Sequence, residues 1–128
     1  MYRLNKYNVA INIELEPGIY VFDNQSATGK TRLAKLLSEY QAYGEPVVSY
    51  TYNDKLKGLS LGDFIKDKKY KVILLDRYDL YNGDYSEDIK KHAKESIVLI
   101  DCKSEVKNIN DDECCNIVMS EDSIEVMQ

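Results

Sequence analysis

The residues of this 128-residue chain with the types and spacing for chemistry begin with Asn24-Gln25-Ser26-Ala27-Thr28-Gly29-Lys30-Thr31. A small polar loop follows the apolar run Ile19-Tyr20-Val21-Phe22, and Gly29-Lys30-Thr31 opens a helical pattern. A loop so placed can turn successive backbone N–H groups inward at the positive end of a helix, where they cradle phosphate oxygens. Lys30 would neutralise the β- and γ-phosphates and the Thr31 hydroxyl would ligate Mg²⁺, with Arg32 next in line. The full pattern is G-x-x-x-x-G-K-[ST]. Its second half is intact here and its first Gly is Asn24, a mild replacement because Asn tolerates a left-handed backbone. Chance occurrence of Gly-Lys-Thr at a helix start is the bland alternative. A second candidate group is Val72-Ile73-Leu74-Leu75-Asp76, an apolar strand closed by a carboxylate that can hold Mg²⁺ directly or through water.

The elements that must position these residues follow from periodicity. Val9, Ile11, Ile13 and Leu15 alternate with Asn8, Ala10, Asn12 and Glu14, which predicts a half-buried strand over 7–15. Pro17-Gly18 is a turn signal, and 19–22 reads as a central strand. Leu33, Leu36, Leu37 and Tyr40 recur at helical spacing, and Gly44-Glu45-Pro46 stops that helix. A strand is expected over 47–52 and a short helix over 61–69, started by Ser60. Residues 72–75 form a buried strand, and a helix capped by Ser86 runs to about Lys94. Ile97-Val98-Leu99-Ile100 is another buried strand, and 116–119 with 123–127 reads as a hairpin around Glu121-Asp122. Strands alternating with helices imply a parallel sheet covered on both faces, with ligands beyond the carboxyl ends of the strands. Asn24, Asp76 and Asp101 all fall at such ends.

Composition sets the bounds. Hydrophobic residues make up 44% and charged residues 30%, so one core can form and disorder is excluded. The length suits one compact domain over 1–128. The formal charge of −5 gives no nucleic-acid signal, since such binding depends on neutralising phosphates. The N-terminus lacks a signal-peptide core and no apolar run approaches a membrane helix, which predicts a cytoplasmic protein without membrane association. Cys102, Cys114, Cys115 and the lone His92 make no metal-ligand spacing and fit structural thiols in a reduced compartment. Lys90-Lys91-His92-Ala93-Lys94 reads as a solvated helix face. Among the 11 tyrosines, Tyr40, Tyr43, Tyr50, Tyr52, Tyr78, Tyr81 and Tyr85 suit either half-buried packing or an interaction surface.

On the loop and the acidic strand end, the chain resembles the P-loop NTPases, in the division of the ATP-binding-cassette and AAA-type ATPases. Leu15-Glu16-Pro17-Gly18-Ile19-Tyr20-Val21 is similar to the opening of a cassette, and the terminal hairpin to its closing one. The resemblance implies an α/β fold, a three-layer P-loop NTPase-like sandwich with a mainly parallel sheet and a short C-terminal β-hairpin. It also implies that a further strand separates the two motif strands in the sheet, for which 47–52 is the candidate. It makes 24–32 nucleotide-binding, Thr31 and Asp76 the Mg²⁺ ligands, and Lys30 catalytic. In place of the water-orienting Glu expected after the metal Asp stands Arg77, and Asp79 is the nearest substitute. Asp101, Lys103 or Ser104 takes the place of the residue that senses the γ-phosphate. Adenine is favoured over guanine because no Asn-Lys-x-Asp follows a late strand. Tyr2 or Tyr7 could stack on the base, with ordinary packing the alternative. No Leu-Ser-Gly-Gly-Gln signature and no helical insertion are present, so the resemblance is to a pared-down core. The expected function is ATP binding with slow Mg²⁺-dependent hydrolysis. The alternative is a non-hydrolysing binding or regulatory module, working as a homo-oligomer or with a protein partner. A small-molecule kinase fits less well, because the arginines are only Arg3, Arg32 and Arg77.

Overall fold

A computed structural model describes residues 2–5, 9–22, 30–66, 70–81, 85–102, 114–119 (backbone only) and 122–127. The strands are β1 (Tyr2–Leu4), β2 (Ala10–Glu14), β3 (Gly18–Phe22), β4 (Val47–Tyr50), β5 (Val72–Leu75), β6 (Ile97–Ile100), β7 (Cys114–Met119) and β8 (Ser123–Met127). The helices are α1 (Lys30–Ala42), α2 (Tyr52–Leu56), α3 (Leu61–Lys66) and α4 (Ser86–His92), with a 3₁₀ turn at Tyr78–Leu80. The chain is α/β, and its sheet is mixed, in the order β1-β2-β8-β7-β3-β6-β5-β4. Strands β3, β6, β5 and β4 form an all-parallel run. Strand β7 also runs parallel to β3, while β7 and β8 make the expected antiparallel hairpin. Strand β6 therefore stands between the two motif strands β3 and β5. The sequence reading gave that place to 47–52, but β4 lies at the sheet edge.

Strand alternation divides the core. Leu33, Leu37 and Tyr40 of α1 pack with Val47, Val72, Leu74, Ile97 and Leu99, and with Ile11, Ile13, Ile124 and Val126 of the mixed part of the sheet. A second cluster joins Leu61 and Ile65 of α3 and Ile89 of α4 to Val48, Tyr50, Ile73, Leu75, Val98 and Ile100. Adjacent strand residues thus belong to different clusters, as period two requires. Strands β4, β5 and β6 are buried at every position, which explains the unbroken apolar sequences of β5 and β6; in β4 the buried Ser49 hydroxyl donates to the Ala34 carbonyl at 2.7 Å.

Helix α1 ends as its sequence predicts. Gly44 adopts φ +93°, its N–H bonds to the Gln41 carbonyl at 2.9 Å, and the Glu45 N–H to the Tyr40 carbonyl at 3.1 Å. This is the Schellman arrangement, which needs a residue without Cβ at the left-handed position. Four local expectations are corrected. The strand expected to reach residue 52 ends at Tyr50, because the Asp54 carboxylate accepts the Thr51 N–H at 2.8 Å and starts α2. Helix α4 is preceded by Tyr85 and has Ser86 buried in its first turn, so Ser86 is not its cap. Strand β7 starts at Cys114, two residues before the 116 expected. His92 and Ala93 are buried, leaving Lys90, Lys91 and Lys94 as the solvated face.

His92 Nε2 lies 3.1 Å from the Tyr70 carbonyl, to which Ser96 Oγ also donates at 2.9 Å. Most of the singled-out tyrosines pack. Tyr40, Tyr50, Tyr78 and Tyr81 are buried, whereas Tyr43 and Tyr52 are exposed. No helix among the described residues is long and apolar enough to cross a membrane.

Candidate functional site

The parallel register assembles the site. Leu75 of β5 is level with Ile100 of β6, and Ile100 with Val21 of β3. The next residues, Asp76 and Asp101, therefore leave the sheet side by side, Asp101 one strand and Asp76 two strands away from the end of β3. Ladder bonds continue through both, from the Asp76 N–H to the Tyr50 carbonyl and from the Asp101 N–H to the Leu75 carbonyl, each at 2.9 Å. By alternation, both carboxylates share the face of Leu74 and Leu99, the face that α1 covers. Helix α1 begins at Lys30, and its first turn lies over that edge.

Lys30 is 8% exposed, unusual for a lysine. Its Nζ lies 3.1 Å from Asp101 Oδ1, and the two side chains are 11% and 10% exposed. The same ammonium stands 5.9 Å from the centroid of the Phe22 ring, the last residue of β3. Asp76 completes the group. Burial raises its pKa from 3.8 to about 6, reinforced by a side-chain hydrogen bond with Asp101 and by that residue's negative charge. Arg77 and Lys30 oppose the rise without cancelling it. Two carboxylates and an ammonium thus meet at the strand ends, and burial, with the neighbouring Asp101 carboxylate adding to it, holds a proton on Asp76 at mildly acid pH.

The residue after Asp76 turns the chain sharply. Arg77 has φ +51° and ψ +51°, the sole non-Gly positive φ among the described residues. A left-handed arginine is strained, and the surroundings fix it. The Tyr78 N–H bonds to the Asp101 carbonyl at 2.8 Å, the Leu80 N–H to the Arg77 carbonyl at 2.9 Å, and the Tyr81 hydroxyl to the Asp76 carbonyl. The Arg77 guanidinium reaches forward to Asp79, with Nε 3.3 Å from Oδ1 and an Nη 3.1 Å from Oδ2. Asp79 is thus gripped by a two-pronged fork in the 3₁₀ turn. Cys102 follows Asp101 as a free, half-buried thiol, its pKa raised by burial and by the charges of Asp79 and Asp101. That makes it unreactive, in keeping with a structural thiol.

The expected site residues fall out as follows. Lys30, Asp76 and Asp101 converge. Thr31 is exposed in the first turn of α1 and Arg32 is half-buried behind it. Asn24, Gln25, Ser26, Ala27, Thr28 and Gly29 lie outside the described residues, as do Lys103, Ser104 and Tyr7. Tyr2 is on β1 at the far edge of the sheet, near enough to Glu45 for that charge to raise its pKa, although burial is the larger cause. Glu45 lies beyond the C-terminal end of α1, and Lys30 is at its N-terminal end. Sequence reasoning missed the Lys30–Asp101 pair and the Arg77–Asp79 fork. Their only signal was that two neighbouring buried strands each end in Asp.

The donors fit the ion that the motif implies. Mg²⁺ takes one or two carboxylates together with phosphate oxygens and water, and the Asp76 carboxylate and Thr31 hydroxyl are hard oxygen donors of that kind. No group of three or more His, Cys, Asp or Glu residues able to hold a metal occurs among the described residues. An ion held by Asp76 and Thr31 would complete its shell with phosphate oxygens or water. Comparisons with protein-family models, with curated proteins and with solved structures find no match to this chain.

Proposed function

We propose that this protein binds a nucleoside triphosphate, ATP in preference to GTP, at the carboxyl ends of β3, β5 and β6, and hydrolyses it slowly. The observation that carries the reading is the meeting of Lys30, first residue of the helix after the Gly-Lys-Thr loop, with two carboxylates that close buried parallel strands. A phosphate seated at that helix start would be contacted by the Lys30 ammonium. Mg²⁺, when bound, supplies charge neutralisation on the phosphate oxygens, and Asp76 and Thr31 are the residues that would hold it. The sheet supports the same reading, because β6 stands between β3 and β5 and the P-loop resemblance implies one strand in that position. On this reading the helices on the two faces make a three-layer, P-loop-like sandwich.

A second reading, a non-hydrolysing binding or regulatory module, rests on the Arg77–Asp79 fork. Turnover needs a carboxylate that orients the attacking water. Arg77 fills the expected place, and the nearest substitute, Asp79, is held by both prongs of that arginine. Nucleotide binding is common to both readings and turnover separates them. Calorimetric titration with Mg·ATP should give saturable binding that Lys30→Ala reduces by two orders of magnitude or more, about 3 kcal/mol. Equal affinity in Lys30→Ala would remove the assignment.

A further inference from the structure

The phosphate-binding lysine of the proposed site already has an anion. Asp101 Oδ1 lies 3.1 Å from Lys30 Nζ with both side chains about nine-tenths buried, and Asp76 stands beside them. An incoming phosphate and the Asp101 carboxylate would compete for one ammonium. They would also repel each other across a few ångströms of poorly hydrated space. A neutral residue at the end of β6 would impose neither condition. Among the described residues at this edge a second cation, Arg77, is likewise engaged by a carboxylate, that of Asp79.

We infer that Asp101 is the specificity-determining residue of the nucleotide site: it makes the protein select the cation-loaded nucleotide over the free one. The inference rests on the nucleotide-binding reading and goes beyond it. Asp101 is the counter-ion of Lys30 in the structure. A metal-free di- or triphosphate brings only negative charge to a site that contains Asp76, Asp101 and Asp79, and must take Lys30 from Asp101 unaided. A nucleotide that arrives with Mg²⁺ brings the positive charge that both strand-end carboxylates need, so Lys30 can turn to the phosphates while the carboxylates stay compensated. Asp101 is a positioning residue in this scheme, because it acts through Lys30 and the cation.

The test is a titration with ADP and ATP, each with excess Mg²⁺ and each with chelator, on the wild-type chain and on Asp101→Asn. The wild type should bind both nucleotides at least about tenfold more tightly with Mg²⁺. Asp101→Asn should raise the metal-free affinity about ten- to hundredfold, the range expected for releasing one charge-assisted hydrogen bond, and shift the Mg²⁺-loaded affinity by less, because that variant loses the cation's contact with Asp101 as it frees Lys30. The gap between the two conditions should close. An unchanged or weaker metal-free affinity in Asp101→Asn, with Mg²⁺-loaded binding intact, overturns the inference. So does a wild type that binds equally well in chelator and in Mg²⁺, a result that needs no variant. If Asp101→Asn does not fold, as judged by circular dichroism, Asp101→Ser and the wild-type comparison decide. Binding by neither protein under any condition would instead strike down the nucleotide reading, and this inference with it.

Discussion

Asp76 makes the site expensive to fold, and replacing it should show this. Burial and the neighbouring Asp101 raise its pKa from 3.8 to about 6, so the fold favours the protonated acid. The sign follows from linkage. Below the unfolded value near 3.8 the acid is protonated in both states and the fold carries no penalty. As pH rises towards 6 the unfolded chain releases its proton first, and stability is lost. Above 6 the full penalty applies. A rise from 3.8 to about 6 corresponds to at most about 3 kcal/mol. Asp76 is only half-buried, so solvent screening reduces this to about 1–2 kcal/mol. Asp76→Asn keeps the shape and removes the charge. At pH 7.5 it should be about 1–2 kcal/mol more stable than the wild type, and by pH 3.5 the advantage should vanish. Urea unfolding followed by circular dichroism at half-unit steps from pH 3.5 to 8 measures both. A variant less stable than the wild type at pH 7.5, or an advantage that does not change with pH, would refute the reasoning.

Other perturbations probe the frame and the chemistry. Leu37, fully buried where α1 meets β4 and β5, should cost about 2–4 kcal/mol when truncated to Ala, read as a lower urea midpoint at unchanged slope. Asp54→Ala removes the carboxylate that caps α2. That helix buries none of its residues, so amide exchange should accelerate across 52–56 while global stability falls by no more than about 1 kcal/mol. Asp79→Asn should leave single-turnover ATP hydrolysis unchanged, since Arg77 already holds this carboxylate; loss of a rate clearly above background would instead make Asp79 the water-orienting base.

The frame was legible wherever one physical signal dominated. The unbroken apolar runs at 72–75 and 97–100 could only be strands buried on both faces, and Gly44 could only stop a helix. Period two at 9–15 identified a half-buried strand, and Ile11 and Ile13 are indeed fully buried. What failed was short or non-local. Strand β1 has only three residues, too few for periodicity. Helix α2 has five residues; the expected strand took Tyr52 from it and 53–56 received no element, although Thr51-x-x-Asp54 carried a capping signal. The strand between β3 and β5 was misassigned because order along the chain does not give order in a sheet. Only the pairing of 97–100 with both neighbours does that.

The same distinction separates the visible half of the site from the hidden half. Lys30 and Asp76 were found because each sits in a local pattern. Asp101 was seen as a strand end and offered, beside Lys103 and Ser104, as the γ-phosphate sensor; its 3.1 Å ion pair with Lys30, across the gap between β6 and α1, was not visible. That contact depends on register, which no local window contains.

Three unfavourable features coincide at this edge: a buried lysine, a carboxylate held above its normal pKa and a left-handed arginine. Each alone has structural explanations, and a buried ion pair is weak evidence for stability, because an apolar pair of similar volume often serves as well. A well-packed sheet gains nothing from gathering all three at its carboxyl ends, where β5 and β6 are otherwise apolar throughout. Sequences that agree with their fold at every other level tend to break local rules where they act on something else. The loop and the strain therefore point to one place by independent routes, one read from the spacing of Gly29-Lys30-Thr31 and the other from the energetics of Asp76, Arg77 and Asp101. The Asp76→Asn and Asp101→Asn experiments test those routes separately: the first measures what the charged edge costs the fold without any ligand, and the second what it does for one.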